Sequence, residues 1–352
     1  MKKLFFLFLI FLLAACTCNQ RKVESNAITK SSDAEVLKGE VIPIDTAIFR
    51  YAYRMRVQDD KAVILDLHNA DYYYHVFTYP GFEYISSFGK RGEGPGESIY
   101  AENIRLDGQN RAWVLDSGKG RMYQYSGIVQ HEIPKLEKDI LLDKKLFRSL
   151  DFDMSDSNTV VIPDYSGENR FSWADLSTGR LLRKSNQIPV SDQDMLKQSA
   201  PAVAQGWRSF ISLSPDKRIL VAVTQFGDRL DIYDVQTQGH ISKQGEDGEP
   251  KFSVSPEGYG LPIGKLCYFD VQVTNRYIYT IYDGRSFQEI MKLKDANQQG
   301  GKIFRKLDHQ GKVVKTYILD RPIVGIYIDE VSNTLFGMDA NADEQLVKYS
   351  LS

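Results

Sequence analysis

Residues 103–127 read NIRLDGQNRAWVLDSGKGRMYQYSG, and this stretch decides the fold. An alternating run, Asn103-Ile104-Arg105-Leu106, meets a polar turn at Asp107-Gly108. A second, apolar run follows, Trp113-Val114-Leu115-Asp116, and a third, aromatic run, Met122-Tyr123-Gln124-Tyr125, ends at Gly127. Short runs of this kind, bounded by Gly, Asp and Asn, read as β-strands joined by tight turns. The same order recurs. Alternating runs enter polar turns at Phe210-Ile211-Ser212-Leu213-Ser214-Pro215-Asp216 and at Ile326-Tyr327-Ile328-Asp329-Glu330. Second runs are VILD (63–66), VVIPD (160–164), ILVAVT (219–224), YIYTIYD (277–283) and TLFGMD (334–339). Third runs close on Gly81, Gly127, Gly179, Gly239 and Gly311, where a hairpin often needs positive φ.

Six such units of about fifty residues, each of four short strands, predict an all-β, six-bladed β-propeller with four-stranded blades. The sixth unit supplies only three strands before the chain stops. Val41-Ile42-Pro43-Ile44-Asp45 precedes the first unit, and it is expected to close the ring as the missing outer strand and protect the edge. The propeller is placed at residues 40–352.

Upstream, Lys2 and Lys3 precede an unbroken apolar run, residues 4–13, and then Ala14-Ala15-Cys16. Ten apolar residues make roughly 15 Å of helix, half of a ~30 Å bilayer core, so the run cannot span. A charged start, a short apolar stretch and a small-residue site mark a secretory leader. With Cys16 in that place, the segment resembles a bacterial lipoprotein signal. The resemblance implies cleavage after residue 15, a lipidated Cys16 and a tether over residues 16–39. Thr17, by the sorting rules of that class, implies an outer-membrane lipoprotein facing the periplasm or the cell surface.

The propeller region resembles the TolB-like and NHL-like six-bladed propeller lipoproteins of Gram-negative envelopes. The resemblance is carried by Phe88-Gly89-Lys90-Arg91-Gly92-Glu93-Gly94-Pro95-Gly96-Glu97, by Tyr282-Asp283-Gly284-Arg285 and by Val347-Lys348-Tyr349. The glycine-rich segment lacks the spacing of a phosphate-binding loop and is expected to be a crossing between blades. Residues 243–250, KQGEDGEP, echo it after blade four.

Composition narrows the function. The chain is 42% hydrophobic with 20 Tyr and 18 Phe, and 44 basic residues face 46 acidic ones, a net charge of −2. That balance provides no basic face for displacing counterions and excludes a nucleic-acid partner. No HExxH or GxSxG motif occurs, so zinc-peptidase and α/β-hydrolase chemistry lack their signatures. Cys267 opens an apolar run and is expected to be buried.

Five second strands end in aspartate: Asp66, Asp116, Asp164, Asp283 and Asp339. Arginine introduces the third strand at Arg121, Arg170 and Arg229, and Arg285 follows Asp283. Equivalent blades would set these residues on one face around the channel mouth. Asp116, Arg121, Asp164, Arg170, Arg229, Asp283 and Arg285 are therefore the candidate ligand-binding residues. Asp at strand ends also satisfies turn amides, so architecture competes with binding. The function expected is an envelope-anchored binding or scaffold module, not an enzyme, without a cofactor, meeting a small molecule, a glycan or an envelope protein. The alternative is a metal-dependent hydrolase or lyase whose mouth carboxylates hold calcium, an ion that takes six to eight oxygens. Residues 284–301 include Phe287, Ile290, Met291 and Leu293 at helical spacing. A short helix there would overhang the mouth.

Overall fold

The stretch 103–127 folds as three strands, Ala101–Leu106, Arg111–Asp116 and Arg121–Ser126, and Lys135–Leu141 completes an antiparallel blade. The computed structural model describes residues 34–44, 49–128, 133–146, 148–191, 199–292 and 298–351. The leader, Cys16, Cys18 and Asp45 lie outside the described residues. Six blades form a ring. Their innermost strands are Ala52–Gln58, Ala101–Leu106, Asp153–Met154, Ser209–Leu213, Tyr268–Val273 and Gly325–Asp329.

Second strands such as Lys61–Asp66 are buried along their whole length because each blade packs face to face against two neighbours. A strand covered on both faces reads as a continuous apolar run rather than an alternating one. The core is therefore divided into layers between blades. Val63, Leu65 and Val76 of blade one meet Ile104, Val114 and Tyr123 of blade two in one such layer. Burying each of these side chains contributes roughly 1.5–3 kcal/mol.

The ring closes as expected. Glu40–Val41 pairs antiparallel with Leu346–Ser350 and supplies the fourth strand of blade six. The Ile42 amide donates to the Leu346 carbonyl at 2.9 Å. Pro43 has no N–H to continue the ladder, so the closing strand is short.

One element falls outside the expected boundary. Glu35–Leu37, placed in the tether by sequence, adds a fifth strand to blade five, parallel to Val313–Ile323. Leu37 is buried there. The propeller unit thus begins before residue 40.

Of the five turn glycines, Gly127, Gly179 and Gly311 adopt positive φ. At the other two turns the left-handed residue is the neighbour, Phe82 or Gln238.

Candidate functional site

The meander within each blade fixes which loops share a face. First strands start, second strands end and third strands begin on one side, which also carries every crossing from blade to blade. We call this the mouth face; the opposite, turn face carries hairpin turns. The described residues of 142–152, 188–208, 245–267 and 283–300 all emerge on the mouth face. The glycine-rich segments 89–97 and 243–250 run from the last two residues of a fourth strand into crossings there, as expected. The short helix expected after Arg285 is present as Phe287–Lys292.

Charged side chains cross the channel, leaving a cavity of about 150 Å³ lined by Arg56, Arg105, Asp153, Gln272 and Tyr327 among others. Arg54 is fully buried and reaches from blade one to the carbonyls of Phe269 and Val324, both at 2.7 Å, with Asp270 3.3 Å from its Nε. Arg105 reaches from blade two to the Ile211 carbonyl at 3.0 Å and pairs with Asp151 and Asp153 at 3.3 and 3.4 Å. The carboxylates have a second task. Asp151 and Asp153 accept the amides of Ile211 and Leu213, each at 2.8 Å, and Asp270 accepts that of Ile326 at 2.9 Å. Ser212 and Gln272 do the same for Val273 and Ile328. An innermost strand has one unpaired edge, and here side chains of blades three, four and five cap amides of the blade that follows.

Near the mouth, Glu102 accepts from Ser117 at 2.5 Å, and burial raises its carboxyl above the usual range despite the nearby Arg208. Burial likewise pushes the Tyr165 phenol up to about 12.

The mouth aspartates are turned toward the protein's own backbone. Asp116 accepts the amides of Ile99, Tyr100, Gly118 and Lys119 at 2.9–3.2 Å. Asp66 repeats the pattern with Arg50, Tyr51, His68 and Asn69. Each thus ties a crossing to the turn beside it. Asp164 takes the Ser166 amide and hydroxyl, and Asp339 takes the Asn341 amide.

The arginines divide. Arg121 stands opposite Asp116 in the strand register, and its guanidinium bonds Asp139 on the adjacent outer strand at 2.5 Å. Arg170 and Arg229 converge on Asp231, at 3.3 and 3.8 Å, and His240 stands 3.2 Å from the same carboxylate. Burial alone would raise Asp231, but His240 and the two guanidiniums hold it below the ordinary carboxylate range. Asp283 and Arg285 form a two-bond pair at 2.6 and 2.8 Å. Arg285 also donates to the carbonyls of Gln298 and Gly300, pinning both ends of the blade-five loop. Among the described residues, no three or more His, Cys, Asp or Glu side chains converge as metal ligands.

Missed from sequence is a basic groove of 790 Å³ on the same face, lined by Lys144, Lys145, Arg148, Lys184, Tyr165 and Tyr259 among others. Three insertions build it. The 3-10 turn Lys144–Leu146 carries two exposed lysines on the crossing into blade three. Helix Ala200–Gly206 forms a wall, with Ser199 as its cap and Pro201 in its first turn. Gln205 of that helix accepts the Gly260 amide at 2.7 Å, and the Ser199 hydroxyl donates to the Gly258 carbonyl at 2.5 Å. These bonds hold the hairpin bearing Tyr259 against the helix. Gly167 lets the turn after Tyr165 approach: its φ is +81°, and a Cβ there would sit 2.2 Å from the Ala200 carbonyl oxygen. Lys184 is held by Ser166, Glu168 and Asp164 at 2.7, 3.2 and 3.3 Å. Asp164 therefore orders the groove from behind. The only sequence signal was the pair Lys144-Lys145 beside Arg148; its partners lie up to 115 residues away.

A family model described as TolB-like 6-blade propeller-like matches residues 31–331. Among solved structures, the chain is similar to a protein of Bacteroides fragilis described as exported, at 14% identity and a TM-score of 0.56. That match covers 92% of this chain and 97% of the other. It is also similar to a member of the DUF4221 family from Bacteroides vulgatus, at 10% identity and a TM-score of 0.57, covering 91% and 97%. At these identities the likeness is one of fold. No curated protein matches the sequence.

Proposed function

Because this chain belongs to the TolB-like six-bladed propeller family, whose fold provides a scaffold and leaves chemistry to its loops, we propose that it is an envelope-anchored binding module. The leader ending at Ala15-Cys16 supports secretion and lipidation of Cys16, and the mouth face is its binding surface. One observation carries this reading. The long insertions all emerge on the mouth face, and the 790 Å³ groove lies among them, within the roughly 300–1,000 Å³ of small-molecule sites. Long loops on a rigid frame are where binding residues concentrate.

Photo-crosslinking groups placed at Tyr259 and Gln299 on the mouth face, and at Lys217 and Val331 on the turn face, test the surface in the protein's own envelope. Adducts are expected from the first pair only. Equal yields from both faces, or adducts from the turn face alone, would overturn the assignment. Fatty-acid labelling tests the anchor: Cys16→Ser is expected to abolish it, and equal labelling of the variant excludes lipidation at that residue.

A further inference from the structure

The basic groove stands out against the charge of the whole molecule. The chain carries a net charge of −2, yet among the described residues Lys144, Lys145, Arg148 and Lys184 line this cavity with one carboxylate, that of Glu168. Lys184 is neutralised locally by Asp164 and Glu168. Lys144 and Lys145 are exposed, and neither ammonium has an ion-pair partner among the described residues. Exposed cations left unpaired beside a concave surface create a positive potential that attracts anions.

The walls say what kind of anion. A volume of 790 Å³ exceeds what an inorganic phosphate fills, so the occupant has an organic body. Leu181, Pro201 and Ala204 give part of the wall an apolar character, and the rings of Tyr165 and Tyr259 line it as well. Arg148 stands 5.9 Å from the centre of the Tyr259 ring, so charge and aromatic surface lie side by side. Two polar side chains of the lining already have partners. Gln205 Oε1 accepts the Gly260 amide, and Ser166 Oγ bonds Asp164 and Lys184. Exposed lysines with aromatic and aliphatic surface suit a ligand with negative groups on rings that present C–H faces. We propose that the groove binds an anionic oligosaccharide of two or three rings, its acidic groups meeting Lys144 and Lys145 and a ring face meeting Tyr259. This inference rests on the reading of the mouth face as the binding surface and gives that surface a ligand class.

Calorimetry on the soluble propeller with trigalacturonate as probe tests it. Maltotriose supplies rings without charge, pyrophosphate charge without rings, and a triglutamate peptide an acidic chain without sugar. Trigalacturonate is expected to bind more tightly than all three, and to weaken with added salt. K144Q/K145Q is expected to lower its affinity at least tenfold and Y259A severalfold, with melting temperatures unchanged because these side chains are exposed. The proposal is overturned if trigalacturonate does not bind, if K144Q/K145Q leaves its affinity intact, or if pyrophosphate or triglutamate binds as well. Mouth-face crosslinks without saccharide binding would remove this inference and leave the proposed function standing. Saccharide binding abolished by K144Q/K145Q, without mouth-face crosslinks, would do the reverse for a macromolecular partner.

Discussion

Asp151 of blade three accepts the amide of Ile211 in blade four at 2.8 Å, while its other oxygen lies 3.3 Å from the Arg105 guanidinium of blade two. One carboxylate thereby joins three consecutive blades at the axis. Removing it leaves a buried amide without an acceptor and takes away one of the two carboxylates facing Arg105. Breaking one side of a buried pair costs about 3–5 kcal/mol. Asp151→Ala is expected to lose about 3 kcal/mol in denaturant unfolding, the lower end because Asp153 still faces Arg105. A loss under about 1 kcal/mol would show that the axis does not depend on this junction.

The Asp/Arg ring at the mouth separates into unequal parts. Asp116 accepts four backbone amides, so Asp116→Ala should cost about 2 kcal/mol or more. Arg121 is half-exposed and meets Asp139 across two strands; Arg121→Gln should change stability by less than about 1 kcal/mol. Chemical denaturation of the two single variants checks the contrast, and equal losses would contradict it.

Acid should weaken blade one through His75. This histidine is buried, with Nδ1 2.8 Å from Ser87 Oγ. Burial outweighs the nearby Asp66 and lowers the imidazole from 6.5 to about 4. Between those values the unfolded chain takes up a proton that the folded protein refuses. The stabilisation is therefore complete above pH 6.5 and is lost as pH falls toward 4, by about 3 kcal/mol in all. Unfolding free energies of the parent and His75→Gln, compared at pH 7 and pH 4.5, should show a smaller acid loss in the variant. Identical losses would remove His75 as a cause.

Ring closure is testable by truncation. A chain beginning at residue 45 lacks both added strands, exposing the outer edges of blades five and six and uncovering the site of Leu37. It is expected to melt several degrees below a chain beginning at residue 34. Coincident melting curves would mean that neither strand contributes.

The blades were legible because face-to-face packing buries second strands completely, and that leaves an apolar run such as Val63-Ile64-Leu65 in each unit. The short helix after Arg285 announced itself by its spacing. The axis was harder to read. Asp151-Phe152-Asp153-Met154 and Asp270-Val271-Gln272-Val273 alternate as a half-solvated strand would. Their polar side chains instead face the channel, where they cap a neighbouring blade. Alternation reports that one face is polar, not whether water or another strand meets it. Glu35–Leu37 was invisible for a different reason: three residues cannot establish a period. The groove was illegible because crossing lengths, not strand patterns, bring Lys144 and Tyr259 together.

The parallel strand Glu35–Leu37 also has a direction. Its partner Val313–Ile323 rises from the turn at residues 308–312 toward the mouth face, and a parallel neighbour rises with it. Residue 34 therefore joins the propeller on the turn side. The described chain enters the ring on the face opposite the one that carries the basic groove. The sense of three residues of backbone thus fixes the side from which the chain joins its own ring.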